Sequence, residues 1–391
     1  MKKRILSLKG LAYAAVLAAP LYLVKVSFFG LPTNIFELLA LATFGLFLNG
    51  VVGLENKLRD YKEYFIPIVM LICGLFLSMA CSESYRNGLG IIKGWFVVPI
   101  IFSWVCAQVI EDKKNILKAV YASAFLVACF SAGYFLTGRL TFDGRLQAFY
   151  NSPNFLAMCL APAIIIGTFL FKENRRFYLG SLAVIIFSFY QTRSYAAWLA
   201  VFIAISTLII IRNKKNTVEW KKLIITVFII GAMFLSQRNT DKMNSFIELG
   251  KERSSTSSRL MIWHSAIKIG FDNPIAGIGP GNFQNKYLEY QKYFPPYLEW
   301  AVPQPHSLFL ALWLQAGLLG CIGFFWVIIV WLKELIGRKE WNQEDYVFLG
   351  IMVYMLLHGL VDTTYFKNDL AVLFWLIVFS AKKHSLLKKS A

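Results

Sequence analysis

Apolar stretches long enough to cross a lipid bilayer recur from one end of this 391-residue chain to the other, and that repetition leaves few architectures open. A hydrocarbon core of about 30 Å takes roughly 20 helical residues. Runs that reach or approach this length lie near 11–29, 35–53, 64–81, 89–110, 116–137, 153–171, 177–192, 194–211, 222–237, 306–332, 345–365 and 369–381. They are continuously apolar instead of alternating, so their backbone groups must be satisfied within helices and not in a β-barrel. Hydrophobic residues make up 57% of the chain, more than the half or so usual in soluble domains. The expected fold is an all-α polytopic membrane protein of about 12 transmembrane helices, forming a single integral membrane domain over 1–391. The seventh and eighth runs are the least separable, because only Gln191-Thr192-Arg193-Ser194 divides them.

The formal charge of +18 invites a nucleic-acid partner, but its distribution points to topology instead. If the spans alternate from a cytoplasmic N-terminus, about 25 of the 40 Lys and Arg residues fall in cytoplasmic segments, as the positive-inside rule requires. Both termini are then cytoplasmic, the 238–305 stretch is an outer loop, and no nucleic acid is expected. The start, Met1-Lys2-Lys3-Arg4 before an apolar run, imitates a signal peptide; the run continues past Pro20 to Phe29, so an uncleaved span is expected. Cys73, Cys81, Cys106, Cys129, Cys159 and Cys321 lie in or beside the runs without a CxxC pair, and read as small core residues.

The outer loop carries signs of order. Ser254 to Ser258 offer helix N-caps, and Arg259 to Ile269 reads as an amphipathic helix stopped by Gly270. Asp272-Asn273-Pro274 and Gly277-Ile278-Gly279-Pro280-Gly281 predict tight turns, and a second short helix is expected from about Asn282 to Tyr293. Aromatic residues, among them Trp263, Phe283, Tyr287, Tyr293, Tyr297 and Trp300, favour the lipid headgroup level, so the loop is expected to lie on the outer leaflet and roof a cavity.

Four basic side chains share the outer side of this topology: Arg145, Arg193, Arg259 and His306. Guanidinium groups stay charged and present forked donors that match phosphate oxygens, so a lipid-linked diphosphate is a natural ligand. Each has a plainer reading: Arg193 snorkelling to the interface, Arg145 pairing with Asp143, Arg259 on a solvated helix face, and His306 capping a span entrance. His306, in Pro305-His306 before a new apolar helix, feels the positive end of the helix dipole, which favours its neutral, proton-accepting form. His358 and Asp362 stand four apart and share a helix face, where Asp362 can orient a base or bind a substrate hydroxyl. As two ligands alone they are weak grounds for a metal. Lys25, Glu37 and Lys93 read as interface residues at span edges.

Several fragments resemble the O-antigen ligase and O-antigen polymerase-like membrane glycosyltransferases. They are Thr192-Arg193-Ser194, then Arg259 to Trp263, then Asn273-Pro274-Ile275-Ala276-Gly277-Ile278-Gly279-Pro280-Gly281-Asn282-Phe283, then Pro305 to Leu310 with Gly317-Leu318-Leu319-Gly320. The resemblance is strongest over 193–320, and the Arg145–Asn154 stretch also looks similar; Ser307 and Tyr195 depart from the usual residues. It implies a GT-C-type enzyme in the bacterial inner membrane, working at the periplasmic face. Such an enzyme moves a glycan from undecaprenyl diphosphate to an acceptor sugar hydroxyl, with no nucleotide sugar, cofactor or metal. The acceptor would be lipid A core, a growing polysaccharide or a glycoprotein. The resemblance also implies His306 as general base, Arg193 and Arg259 holding the diphosphate with help from Arg145, and Asp362 contacting the acceptor or steadying the site. O-antigen ligase, exopolysaccharide polymerase, and a flippase or transporter of lipid-linked cargo stay open. Transporters tend to show inverted repeats or broken helices, and neither is evident in the sequence.

Overall fold

The computed structural model describes residues 2–28, 31–50, 54–82, 85–170, 174–212, 220–240, 242–244, 255–295 and 299–382. Helices dominate these residues in chain order: α1 (Lys2–Leu17), α2 (Ile35–Leu48), α3 (Leu54–Arg59), α4 (Lys62–Ala80), α5 (Tyr85–Ile91), α6 (Val98–Val109), α7 (Lys113–Leu136) and α8 (Pro153–Leu170). They continue with α9 (Arg175–Gln191), α10 (Tyr195–Arg212), α11 (Trp220–Leu235), α12 (Ser255–Asp272), α13 (Phe283–Tyr290), α14 (Leu308–Ile336), α15 (Gln343–His358) and α16 (Asn368–Ser380). Each apolar run carries a helix. Six helical stretches, α4, Tyr85–Val109, α7, α8, α10 and α14, are long and apolar enough to cross a membrane, which makes this a multi-pass membrane protein. Side chains of Asn34, Asp112 and Asn174 accept hydrogen bonds from backbone N–H groups of the turns they open, and Asn342 with Asp345 forms a capping box.

Four local expectations change. The 11–29 run is not one span: α1 starts earlier and stops at Leu17, Pro20 enters a short 3₁₀ turn, and Lys25–Phe28 pairs antiparallel with Leu31–Asn34. Proline cannot continue the α-helical hydrogen-bond ladder, which is the physical cause of that stop. Gly270 does not end α12, which runs on to Asp272; a Cβ there would meet the Trp313 ring at 2.5 Å, so glycine serves close packing. Glu37 is no interface residue, being buried against Lys93 at 2.8 Å and accepting from Thr33. Cys106 is buried as expected, but Cys73, Cys81 and Cys129 lie on exposed faces. Ser254, Pro296, Tyr297 and residues 245–253 of the outer loop lie outside the described residues.

The central packing is α4 against α14. A Cβ on Gly323 would meet the Leu71 backbone at 2.5 Å, and one on Gly74 the Ala316 carbonyl at 2.6 Å, so these helices touch backbone to backbone through small residues. α14 is also broken, a feature the sequence did not reveal. Gly317 has φ 62° and ψ −173°, and the freed groups are taken up by the Gly-rich turn: Leu318 N–H donates to the Ile275 carbonyl, while Ile278 and Gly279 N–H groups donate to the Leu314 carbonyl. Such backbone is tolerated at membrane depth where protein satisfies it. Gly317→Ala would bring a Cβ within 2.5 Å of the Ile275 oxygen in a conformation L-residues avoid. It is expected to cost about 1–3 kcal/mol and lower the melting temperature in detergent. An unchanged melting curve would mean that this break is not part of the folded protein.

The α12–α13 loop forms a small core of its own. Phe283 and Tyr287 are buried there with Ile262, Ile269 and Ile278, so these two rings serve the loop and not the headgroup layer, whereas Tyr293 and Trp300 remain exposed.

Candidate active site

Five connections bring polar side chains to one end of the bundle: the α7–α8 segment, the α9–α10 turn, α12, the stretch before α14 and the α15–α16 segment. The opposite end holds Lys9–Glu111, Lys382–Glu334 and Arg338–Asp345 ion pairs. Between the first set lies a cavity of about 540 Å³ whose walls include Arg145, Asn154, Arg193, Lys242, Arg259, Trp263, Glu299 and His306. A volume of this order suits a small ligand or part of a larger one.

Asp362 is the hub, although it sits behind the wall and is only 1% exposed. Its Oδ1 accepts from the Thr363 N–H at 2.9 Å and lies 3.2 Å from His306 Nδ1. Its Oδ2 accepts from Asn154 Nδ2 at 2.8 Å and lies 3.5 Å from an Arg259 guanidinium nitrogen. Burial alone would raise the Asp362 pKa, but the hydrogen bond with His306 and the charge of Arg259 outweigh it and hold the carboxyl well below its usual range. A carboxylate facing Nδ1 requires Nδ1 to carry the hydrogen, which leaves Nε2 of the neutral ring as the proton acceptor. His306 itself keeps 33% of its side chain exposed and is fixed from two sides, by Trp263 Nε1–H donating to its carbonyl at 3.2 Å and by Leu308 N–H donating to the Gly359 carbonyl.

Arg193 and His306 share a backbone oddity. Both have φ of 47°, the left-handed region that non-glycine residues seldom occupy, and besides Ala148 no other non-glycine among the described residues does so. Strain of this kind persists only where the surroundings over-determine it, and it gathers at functional sites. The Arg193 head lies against Gly144, donates to the Asp143 carbonyl at 3.4 Å, and its buried Nε has no hydrogen-bond partner among the described residues. Arg145 is 8% exposed and more heavily committed, donating from Nε to the Thr192 carbonyl and from a terminal nitrogen to Asn154 Oδ1, each at 2.8 Å. Its link to Asp143 is the looser contact, 3.9 Å. Burial lowers the Arg145 pKa and Asp143 offsets part of that shift. Arg145 thus ties the Arg193 turn to Asn154, and through Asn154 to Asp362.

All five side chains singled out in the sequence therefore meet around one cavity. His358 does not join them: it is buried with Nδ1 2.9 Å from the Tyr354 hydroxyl. The sequence reading missed Asn154 as a bridge, Trp263 as the clamp on His306, and Lys242 as a fourth cation. Among the described residues no group of three or more His, Cys, Asp or Glu side chains is arranged to hold a metal ion.

The fold and cavity define a helical multi-pass membrane protein with a cationic, histidine-bearing site at one end. Residues 180–325 match the family described as O-antigen ligase, a region containing Arg193, Arg259 and His306. The chain is 25% identical over 353 residues to the ComP-specific O-oligosaccharyltransferase of Acinetobacter baylyi, covering 85% of this chain and 58% of that protein. It is 29% identical over 217 residues to the O-antigen ligase of Salmonella typhimurium, covering 51% of this chain and 52% of that one. The chain is thus O-antigen ligase-like, and it spans a little over half the length of the curated relatives it matches.

Proposed function

We propose that the chain is a GT-C-type membrane glycosyltransferase with about twelve spans and cytoplasmic termini. In this reading it acts as an O-antigen ligase at the outer face of the bacterial inner membrane. The 238–305 loop roofs the cavity and the 193–320 region forms its core. A glycan on undecaprenyl diphosphate is the donor, and a sugar hydroxyl of lipid A core is the acceptor. In the reaction, the acceptor oxygen attacks the anomeric carbon of the donor sugar and its proton passes to His306 Nε2. The bond from that carbon to the diphosphate oxygen breaks, and the electron pair leaves with the lipid diphosphate. Arg193 and Arg259 receive the growing negative charge, Arg145 holds the Arg193 turn in place, and Asp362 keeps the His306 ring in the proton-accepting tautomer. Preorganised cations aimed at developing charge are the largest aid such a site can give.

The observation that carries this reading is the His306–Asp362 contact at 3.2 Å, made in the same cavity as three arginines from distant parts of the chain. The break in α14 is a feature transporters also show; here the Gly-rich turn takes up its freed backbone groups. Transfer to a protein is the second reading, because the match to the Acinetobacter oligosaccharyltransferase extends over 85% of the chain. A deletion strain separates the acceptors. Uncapped core is expected for a ligase, loss of glycan from a glycoprotein for protein transfer, and single repeat units for a polymerase.

Arg193→Lys keeps a positive charge but loses the fork, so glycan transfer in membrane vesicles is expected to fall about tenfold or more at unchanged protein level. Full activity would mean that Arg193 only anchors its turn.

A further inference from the structure

We propose that Gln304 and Thr363 are positioning residues that hold the imidazole of His306 against Asp362. This rests on the reading of His306 as the general base. Gln304 stands two positions before His306 and Thr363 directly after Asp362, so a contact between them ties the two halves of the pair together. The Thr363 hydroxyl donates to Gln304 Oε1, and Gln304 Nε2 donates to the Phe366 carbonyl at 3.5 Å. Both side chains are buried. Pro303 and Pro305 flank Gln304 and carry no backbone N–H, so this stretch has little with which to join a backbone ladder. The side-chain amide takes over that task. Neither Gln304 nor Thr363 is on the described cavity wall, so their effect on transfer passes through His306 and Asp362.

On the other side of His306, Leu308 N–H donates to the Gly359 carbonyl at 2.7 Å. The stretch 304–308 is therefore bonded at both ends to the stretch 359–366, and His306 lies between the two anchors with Nδ1 facing Asp362. This double hold accounts for the φ of 47° at His306, since such a conformation persists only where the surroundings over-determine it. Thr363 fixes the other partner as well: its N–H donates to Asp362 Oδ1 at 2.9 Å while its hydroxyl holds Gln304. Loss of that hydroxyl frees one anchor and leaves Gln304 Oε1 buried without its donor. The backbone at His306 then relaxes, and Nδ1 moves off the carboxylate. A reacting group displaced by about 1 Å can lose roughly 10²-fold in rate.

The test uses full-length protein in detergent, with a labelled undecaprenyl diphosphate glycan as donor and lipid A core as acceptor. Thr363→Val keeps the shape of the side chain and removes the hydroxyl, Thr363→Ser keeps the hydroxyl, and Gln304→Met keeps the length and removes the amide. Thr363→Val and Gln304→Met are each expected to lower kcat about tenfold or more, with the donor KM within about twofold of wild type. Thr363→Ser is expected to stay within about twofold of wild type in both. Melting temperature is read alongside, so that every rate refers to folded protein. In an Asp362→Asn background the contact is already lost, and adding Thr363→Val is expected to change kcat by less than about twofold. Residues needed only for folding would multiply the loss by the same factor in both backgrounds. That result, or wild-type kcat in both Thr363→Val and Gln304→Met while His306→Ala is inactive, would overturn the positioning role and leave His306 as the base. Full activity in His306→Ala, or no transfer by the wild type, would overturn both.

Discussion

His306→Ala is expected to reduce glycan transfer by roughly 10²–10⁴-fold, the usual worth of a positioned general base, while the protein stays folded in the membrane. The imidazole has 33% of its side chain exposed, so its removal leaves no buried void of consequence. What is lost is the proton acceptor. Without it the acceptor hydroxyl must attack while still protonated, and no other imidazole stands on the described cavity wall. The check is transfer measured in vesicles alongside protein level and melting temperature. A near-normal rate would remove His306 from the chemistry and return it to capping the entrance of α14.

Asp362→Asn is expected to cost about 10²-fold or more, although it changes a single atom and adds no volume. The carboxylate now receives hydrogen bonds at both oxygens, from Thr363 and His306 on one side and from Asn154 and Arg259 on the other. An amide has only one oxygen. If it faces Thr363 and His306, its NH₂ is pressed against two donors, Asn154 and Arg259. If it is turned round, its NH₂ donates to His306 Nδ1, which forces the hydrogen onto Nε2 and abolishes the proton acceptor. Either orientation damages the site, and both leave Arg259 without its counter-charge. The measurement is the turnover rate at saturating donor, since the loss is in chemistry more than in binding. Wild-type turnover would mean that Asp362 merely packs between α15 and α16.

The helices were legible because a bilayer demands long apolar runs. Residues that break a helix from within were harder. Gly317 stands among Gly320 and Gly323, and nothing in that pattern tells a packing glycine from one with a left-handed φ. The first hairpin strand, Lys25–Phe28, hid for a similar reason, since it falls within a run that reads as a span. At the site, charge in an unexpected place drew attention to Arg193, and a helix entrance drew it to His306. Their shared positive φ could not be foreseen, because no residue type there announces it. Lys242 went unnoticed because a lysine in a polar loop is usually solvated; its burial, with Arg145 and Arg259 close by from elsewhere in the chain, makes it unusual. Asn154 was invisible as a bridge for the same reason, its partners Arg145 and Asp362 being 9 and 208 positions away.

The most direct test of the whole account is release of undecaprenyl diphosphate by the purified protein in detergent, given a labelled lipid-diphosphate glycan and a sugar acceptor, with no bilayer to cross. The account predicts that acceptor-bound glycan and free undecaprenyl diphosphate form in equal amounts and that neither forms with His306→Ala. An intact donor in detergent, together with its movement across the membrane when the same protein is placed in liposomes, would contradict it.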